Sequence, residues 1–301
     1  MRTSVYGRRQ PGGLFSAHDV LRFPGEVWWV GSAVATANDT AGYGQNPDAP
    51  FATLAYAESR AAADDTIIIM PGHVEVLVGS PCLLLNVASL HVVGLGGWSR
   101  QPVFVIDGAA AAYVSIAAAD IEIENVTFSA GHADIASAIV ANAVGANIHH
   151  CKFIENVATE NFLICVLSAG ANVSDGLQVN DCWCNQPDAS NTHFISHPAA
   201  QDSVQHSRNV IHGEHGTASI GAVGVITNCR ITDNEIFNSS NAIDSMINLA
   251  AGSTGLVGRN AGGSGAAAQA TQMTAGATAK WENYFGLNAE DLHAVLDPIP
   301  T

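Results

Sequence analysis

The chain has 301 residues, of which 48% are apolar and only 13% are charged, and its formal net charge is −16. A body with this acidic excess would be repelled by a phosphate backbone, so we expect no nucleic-acid partner. No apolar run reaches the length of a bilayer span, and the N-terminus lacks the apolar segment and cleavage site of a signal peptide. We therefore expect no membrane partner and synthesis in a cytoplasm.

The first 26 residues are rich in Gly, Pro and Arg and predict an irregular N-terminal arm. Up to position 22 the arm holds four arginines against a single acidic residue, Asp19, which leaves a local charge of +3. Such an arm can dock on an acidic surface of a partner. A solvated terminus accounts for the charge equally well. The docking candidates are Arg2, Arg8, Arg9 and Arg22.

The next segment predicts a strand followed by a short helix. Residues 26–31 are dense in β-branched and aromatic side chains, which favour a strand. Thr53 is placed to cap the N-terminus of a helix near residues 53–62. One side of that helix is apolar at helical spacing and should be buried. This side consists of Leu54, Ala57 and Ala61.

A short hydrophobic pattern then returns six times in the same register. Successive anchors are 25, 31, 27, 25 and 25 residues apart, and Val92 extends the series backward because it lies 31 residues before the first anchor. A period in this range indicates a solenoid. The anchors are Ile123, Ile148, Val179, His206, Ile231 and Leu256.

Further β-branched runs lie between the anchors, so each coil should contain about three short strands. Parallel pairing would stack equivalent residues about 4.8 Å apart, with apolar side chains inside, over nine or ten coils at roughly that rise. Asn125, Asp181 and Asp233 share one slot of the repeat, which predicts a turn because short polar side chains tolerate unusual backbone angles.

The order of these parts resembles the right-handed parallel β-helix proteins of the pectin-lyase-like superfamily. The resemblance lies in the strand, the segment PFATL at 50–54, the segment DTIIIMPG at 65–72 and the coils that follow. It implies an all-β, right-handed, single-stranded parallel β-helix over residues 27–263, with the helix capping its open end. The right hand agrees with the general bias of parallel β connections.

After residue 263 the period is expected to stop. Residues 264–301 then predict a C-terminal cap or an oligomer-contact segment, with a short helix over 288–296. Its aromatic residues are Trp281, Tyr284 and Phe285.

Six scattered cysteines do not form a disulfide scaffold. Cys151 and Cys182 occupy the same slot of consecutive repeats, so they should stack inside the coil as reduced thiols.

Catalytic candidates are weak. Polygalacturonase-like members of the superfamily use clustered carboxylates, a Gly-His-Gly and an Arg-Lys pair, and this chain offers only a partial match. That match consists of residues 180–181, residues 212–216 and Arg230. Asp181 and Asp233 would lie two coils and roughly 10 Å apart, with Arg208 between them as a charge neutraliser. A turn-stabilising role for these three residues is the favoured interpretation.

Metal patterns are equally sparse, and we expect neither a metal nor a cofactor. The acidic residues that a calcium site would use stand in different turns. They are Asp202, Asp233 and Asp244. The densest histidine and cysteine groups do not match the two spaced pairs of a zinc site. They are residues 149–151, Cys182 with Cys184, and His193 with His197.

The sequence therefore predicts a structural, non-enzymatic bacteriophage virion protein, such as a capsid decoration, head spike or tail-associated β-helix. The resemblance to phage spikes, fibres and head decorations implies a homotrimer. Its expected partners are other virion proteins, and a host surface polysaccharide is a further candidate ligand. The alternative is a polysaccharide-degrading β-helix enzyme, either a glycoside hydrolase or a lyase. A bacterial surface or secreted binding module is the third hypothesis.

Overall fold

The computed structural model describes residues 25–97, 99–157, 159–239, 245–264, 273–287 and 295–297. These residues form an all-β parallel solenoid with one five-residue helix. No helix among them is both long and apolar enough to span a membrane. Three long sheets run along the solenoid, and eight successive coils each contribute one strand to every sheet. The predicted all-β parallel solenoid is confirmed.

Sheet 1 contains the anchor residues and consists of ten parallel strands. In spatial order they are β1 (Val27–Val30), β2 (Thr66–Ile69), β5 (His91–Gly94), β8 (Glu122–Glu124), β11 (Asn147–His149), β14 (Gln178–Asn180), β18 (Gln205–Ser207), β22 (Cys229–Thr232), β25 (Gly255–Gly258) and β28 (Ala279–Trp281).

Sheet 2 follows sheet 1 along each coil and also has ten strands, of which the last is antiparallel to its neighbour. The strands are β3 (Val74–Val78), β6 (Val103–Asp107), β9 (Thr127–Ala130), β12 (Lys152–Glu155), β15 (Trp183–Gln186), β19 (Val210–Gly213), β23 (Glu235–Asn238), β26 (Ala261–Ser264), β29 (Asn283–Leu287) and β30 (Val295–Asp297).

Sheet 3 completes each coil with eight parallel strands. They are β4 (Leu83–Leu85), β7 (Val114–Ile116), β10 (Ile139–Ala141), β13 (Ile164–Ser168), β16 (His193–His197), β20 (Ala218–Ala222), β24 (Ser245–Leu249) and β27 (Met273–Ala275). A short parallel pair joins two turns outside the three sheets. It consists of β17 (Gln201–Asp202) and β21 (Ile226–Thr227).

A short helix, α1 (Leu54–Glu58), caps the first coil as the sequence predicts. Thr53 is its N-cap, with extended backbone angles and a side chain that accepts a hydrogen bond from the Tyr56 amide at 3.3 Å. The Asp39 carboxylate also accepts from the backbone amide of Thr53 at 3.1 Å. Leu54 and Ala57 are buried against the first strands, so the helix closes the apolar end of the solenoid.

The anchor register is confirmed for most of the chain. Ile123 pairs with Val92 and Ile148, and the series continues through β14, β18 and β22. The last anchor is a correction, because Ile231 pairs with Val257 and not with Leu256. Val257 is fully buried, and a slip of one residue would turn the inward side chain outward.

Aromatic side chains fill the early interior along sheet 2. The rings of Phe104, Phe128 and Phe153 follow one another with centroids 6.1 and 5.4 Å apart, and all three are buried. Equivalent side chains thus lie over one another along the axis, which is the packing that a parallel coil register imposes. Later coils place smaller residues in the same interior row, such as Cys184 and Ile211.

A ladder of buried asparagines runs along the corner between sheets 1 and 2. The side-chain oxygens of the last three asparagines accept from the backbone amide and side-chain amide of the asparagine in the preceding coil, and that of the first asparagine accepts from the backbone amide of Cys182. In the same slot of earlier coils lie Cys151 and Cys182, whose thiols are buried and donate to backbone carbonyls. The predicted stacking of these two cysteines is confirmed. The ladder consists of Asn209, Asn234, Asn260 and Asn283.

The asparagine ladder carries the solenoid past residue 263, where the sequence indicated an end. Strands β27, β28 and β29 add parallel pairing to sheets 3, 1 and 2, so the boundary of the solenoid lies further along the chain. The hydrophobic pattern fails there because Lys280 occupies the position that pairs with Val257, whereas Met273 and Ala275 are the buried positions of β27. Of the helix predicted over 288–296, the described residues 295 and 296 belong to strand β30, and the others lie outside the described residues.

Candidate functional site

The predicted catalytic carboxylates lie at the turn that joins sheet 1 to sheet 2. Every residue in this slot from Asn125 onward has a left-handed backbone, with φ of 56° at Asn125, 55° at Asp181 and 62° at Asp233. Short polar side chains tolerate this conformation better than others. The turn-forming role that the sequence predicts for these residues is confirmed.

Each of the two aspartates is held by an arginine from the following coil. Arg208 donates from Nε and Nη2 to Oδ1 and Oδ2 of Asp181 at 2.7 and 2.6 Å. Arg259 clamps Asp233 in the same two-bond arrangement, with both distances 2.6 Å. The sequence pattern places Asp181, Arg208 and Asp233 in one row, but it did not reveal Arg259 as the partner of Asp233.

The ion pairs favour the charged forms of Asp233 and Arg208. The Arg259 guanidinium, through its hydrogen bonds, holds the pKa of Asp233 below its usual value. Hydrogen bonding to Asp181 raises the pKa of Arg208. A general acid needs a carboxyl group whose pKa is raised toward the working pH, and Asp233 is displaced in the opposite direction. The row therefore acts as a set of ionic clamps between coils.

The remaining residues of the partial polygalacturonase match do not converge. Asn180 is buried on sheet 1, where its side-chain oxygen accepts from the amide and hydroxyl of Ser207 at 3.0 and 2.7 Å. Arg230 lies exposed two coils further along the same sheet. His215 is fully buried beyond the end of sheet 2, next to the hydroxyl of Ser219. Asn180 and Arg230 therefore lie two coils apart on sheet 1, whereas His215 lies beyond sheet 2, so the three groups do not form one site.

The metal patterns weighed from the sequence also remain apart. The carboxylate of Asp202 accepts from Ser203, Thr227 and Asn228, which satisfies it within its turn. Asp244 lies outside the described residues. Cys182 and Cys184 are both buried in the interior.

Four ionisable side chains that the sequence pattern did not group meet on the outward face of sheet 1. They come from β5, β8 and β11, which are neighbouring strands of consecutive coils. The register pairs His91 with Glu122, and Glu124 with His149. Because the anchors between them point inward, these flanking residues point outward. We call His91, Glu122, Glu124 and His149 the His–Glu cluster.

The cluster is compact and half shielded from solvent. His149 Nε2 lies 2.6 Å from Glu122 Oε1, and His91 Nε2 lies 3.4 Å from Glu122 Oε2 and 3.3 Å from Glu124 Oε2. One ligand atom from each of the four residues lies within 4.8 Å of all the others. His91 is only 9% exposed. The hydrogen bond from His149 lowers the pKa of Glu122, so this carboxylate is ionised at neutral pH.

The cluster could have been found from the register already visible in the sequence. Val92, Ile123 and Ile148 are successive anchors, and each has a histidine or a glutamate on at least one side. Among the described residues, no other group of three or more His, Cys, Asp and Glu side chains brings its ligand atoms this close.

Two further histidines lie buried inside the solenoid. His197 Nε2 and His206 Nε2 are 2.8 Å apart, with stacked rings, and His197 Nδ1 contacts the hydroxyl of Ser168 at 3.0 Å. Burial lowers the pKa of His197 to about 4 and that of His206 well below its ordinary value. Both rings are therefore neutral at pH 7, and one nitrogen donates its proton to the other.

An open depression of about 400 Å³ lies on the outward face of sheet 2. The Phe237 ring is 45% exposed and contacts His212 edge to face, with centroids 5.1 Å apart. We call this the sheet-2 depression. Its lining residues are Asn185, Pro187, His212, Gly213, Phe237 and Ser239.

Of the residues predicted to dock or to form subunit contacts, the three aromatic ones lie on described strands. Trp281 belongs to β28, and Tyr284 and Phe285 belong to β29, so the backbone of all three continues the solenoid. Their role as a cap or an oligomer contact stays a prediction. The four arginines proposed for docking lie outside the described residues. These are Arg2, Arg8, Arg9 and Arg22.

No protein-family model matches the chain, and no curated protein matches it in sequence. Among solved structures, the Escherichia coli protein YbhC is similar, with a TM-score of 0.51 and 9% identity over 87% of this chain and 85% of that chain. The pectate lyase Pel9A is similar with a TM-score of 0.43 and 12% identity, over 85% and 79% of the two chains. At these identities the likeness shows the fold alone: the chain is a parallel β-helix.

Proposed function

We propose that the protein is a non-enzymatic structural component of a bacteriophage particle: a capsid decoration, head spike or tail-associated β-helix. The observation that supports a non-enzymatic role most strongly is the pairing of Asp181 and Asp233 with Arg208 and Arg259. These aspartates are the strongest catalytic candidates in the sequence, and both oxygens of each accept hydrogen bonds from an arginine.

Hydrolysis of a glycosidic bond requires a protonated carboxyl group and a second carboxylate that is free to act as base or nucleophile. Asp233 is held ionised by Arg259, and Asp181 is engaged by Arg208. An enzyme would have to break these clamps on binding substrate. A structural protein uses them as they are, because they tie consecutive turns together.

Placement in a virion is supported by the composition of the chain. Only 13% of its residues are charged, which suits surfaces that become buried against other subunits. The arginine-bearing arm provides a positively charged segment for docking on an acidic partner surface.

Self-association as a homotrimer is supported by the outward face of β3. Val74, Val76 and Val78 are 53%, 56% and 63% exposed there, and they stand side by side on one strand. Contiguous exposed apolar residues mark interaction sites. The proposed occupant is a second copy of the chain, packed side by side about a threefold axis parallel to the solenoid.

The experiment that tests the non-enzymatic role is prolonged incubation of the purified protein with capsular polysaccharide and lipopolysaccharide from the host. The glycans should keep their size distribution on gel filtration. A shift to shorter chains would show depolymerisation. Loss of that activity in Asp233→Asn would then establish the enzyme alternative.

Docking through the arm is tested by deleting residues 1–22. The deletion should abolish incorporation of the protein into particles while leaving its circular dichroism spectrum and melting temperature close to those of the full chain. Normal incorporation would contradict a docking role for the arm.

A second candidate function, binding of a host glycan without cleavage, is favoured by the sheet-2 depression. An exposed aromatic ring beside amide, imidazole and hydroxyl groups offers both an apolar platform and hydrogen-bonding partners. Phe237→Ala should weaken binding of host polysaccharide measured by calorimetry. Leu84→Ala, which truncates a side chain of similar exposure (42%) on sheet 3, should not. Equal affinities, or no binding by the unmodified protein, would contradict this candidate.

A further inference from the structure

We propose that the His–Glu cluster is a binding site for a divalent transition-metal ion of the zinc class. The site lies on the outward face of sheet 1 and is formed by His91, Glu122, Glu124 and His149. The inference does not depend on where the protein is placed in a virion, since it concerns the stacking of coils within one chain.

The donor atoms favour zinc-class ions over calcium or magnesium. The cluster offers two imidazole nitrogens and two carboxylates, which is a ligand set that zinc accepts. Calcium and magnesium prefer a shell made of oxygen atoms, and calcium takes six to eight of them. Two nitrogen donors among four ligands therefore favour a first-row transition metal.

The ligand atoms lie within 4.8 Å of one another, and two of the distances between them already match a tetrahedral shell. Two ligand atoms of a tetrahedral zinc ion lie about 3.3 Å apart when each bond is about 2.0 Å long. His91 Nε2 already lies 3.3 Å from Glu124 Oε2 and 3.4 Å from Glu122 Oε2. The contact between His149 Nε2 and Glu122 Oε1, at 2.6 Å, is a hydrogen bond and would have to open by about 0.7 Å.

The backbone holds the four ligands in place without a metal. They stand on three neighbouring strands whose register is fixed by parallel pairing on both sides of Glu122. The His149 ring is also oriented by its second nitrogen, since Nδ1 lies 2.9 Å from Nδ1 of His150. Orientation of a ligating imidazole through its other nitrogen is a regular feature of metal sites.

A metal at this position would join three consecutive coils. Because the ligands are brought together only in the folded chain, the ion would bind the native state in preference to the unfolded state and raise the melting temperature. The competing explanation is a network of histidine–glutamate ion pairs that binds no metal, and it predicts no such rise.

The test is zinc binding by the full-length protein after dialysis against a chelator. Calorimetric titration with ZnCl2 should give one ion per chain, and the melting temperature should rise with Zn²⁺ but not with Ca²⁺. His149→Gln and Glu124→Gln should each weaken zinc binding by at least about tenfold. His132→Gln is the matched control, because it removes an imidazole from a turn outside the cluster, and it should bind like the unmodified protein.

A second measurement keeps the test decisive if a variant folds poorly. Co²⁺ added to the unmodified metal-free protein should give the visible absorption of a four-coordinate site, and Zn²⁺ should displace it. Absence of a stoichiometric zinc site in the unmodified protein would overturn the proposal. So would unchanged affinity in a folded His149→Gln variant, since the ion would then bind elsewhere.

Discussion

Arg208 stands one coil after Asp181 and grips both oxygens of its carboxylate, with Nε to Oδ1 at 2.7 Å and Nη2 to Oδ2 at 2.6 Å. The same relationship recurs two coils further along the solenoid, where Arg259 stands one coil after Asp233 and binds both of its carboxylate oxygens. The aspartates that were candidates for acid–base chemistry are thus members of a repeated ion pair at the turn between sheets 1 and 2.

The clamp should contribute little to stability because it is exposed to water. The Arg208 side chain is 56% exposed and that of Asp181 is 26% exposed. A double-mutant cycle with Arg208→Gln and Asp181→Asn should give a coupling energy of about 1 kcal/mol or less, and high salt should reduce it. Urea unfolding at low and high ionic strength measures this coupling. A salt-insensitive coupling of several kcal/mol would show that the pair is not the solvated clamp described above.

The asparagine ladder should contribute much more to the stability of the fold than the exposed clamp does. Asn234 is buried and makes four hydrogen bonds through its side chain, which link Asn209, Asn260 and the His206 carbonyl. Asn234→Ala leaves several of these groups without a partner and should lower the free energy of unfolding by about 2–4 kcal/mol. Urea denaturation monitored by circular dichroism measures the loss.

The control for the ladder is Asn156→Ala, at an exposed asparagine whose side chain donates to Glu160. It should change the free energy of unfolding by less than about 0.5 kcal/mol. Equal effects of Asn234→Ala and this control would contradict a stabilising ladder.

Acid should destabilise the solenoid through its buried histidines. The pKa of His197 is about 4 in the folded protein, against an ordinary value near 6.5. Because the folded-state pKa is depressed, this stability is fully present above pH 6.5 and is lost as the pH falls toward 4. The loss approaches about 1.4 kcal/mol per pH unit for each such histidine. His206, whose pKa is also lowered by burial, should add to it.

The contribution of these histidines is isolated by the variant His206→Met, which cannot take up a proton at that position. Its free energy of unfolding should fall less steeply between pH 7 and pH 4.5 than that of the unmodified protein, whatever its stability at pH 7. Identical slopes would show that His206 does not carry the acid sensitivity.

The trimer proposal predicts that a charge on β3 separates the subunits. Val76→Asp should convert a trimer to a monomer in light scattering coupled to gel filtration, because burying an unpaired carboxylate between subunits is costly. Val223→Asp, at a valine that is 82% exposed at the turn after sheet 3, should remain trimeric. A monomeric unmodified protein, or a trimeric Val76→Asp, would contradict side-by-side packing through this strand.

Much of the fold could be predicted because local sterics and pairing leave direct marks on the sequence. The left-handed turn favours residues such as Asn125 and Asp181, and most inward anchors are apolar, with the buried His206 as an exception. The last anchor was misplaced because Leu256 and Val257 are both apolar. Only the turn residue Arg259, aligned with Asp233, settles which of the two faces inward.

The residues of the candidate sites are harder to predict because they depend on contacts across coils. The outer members of the His–Glu cluster, His91 and His149, are 58 positions apart in the sequence. Each of them is an ordinary outward-facing residue until the register brings its strand beside β8. The Arg259 clamp was missed for the same reason, since an arginine in a turn has no recognisable pattern until its aspartate is placed one coil before it.

The most direct test of the proposed virion role is electron cryo-microscopy of particles purified from cultures in which the chain is expressed. Our account predicts threefold β-helical density with at least eight coils per subunit, held to the particle at its N-terminal end. Particles that lack the protein altogether, established by mass spectrometry of the same sample, would contradict it.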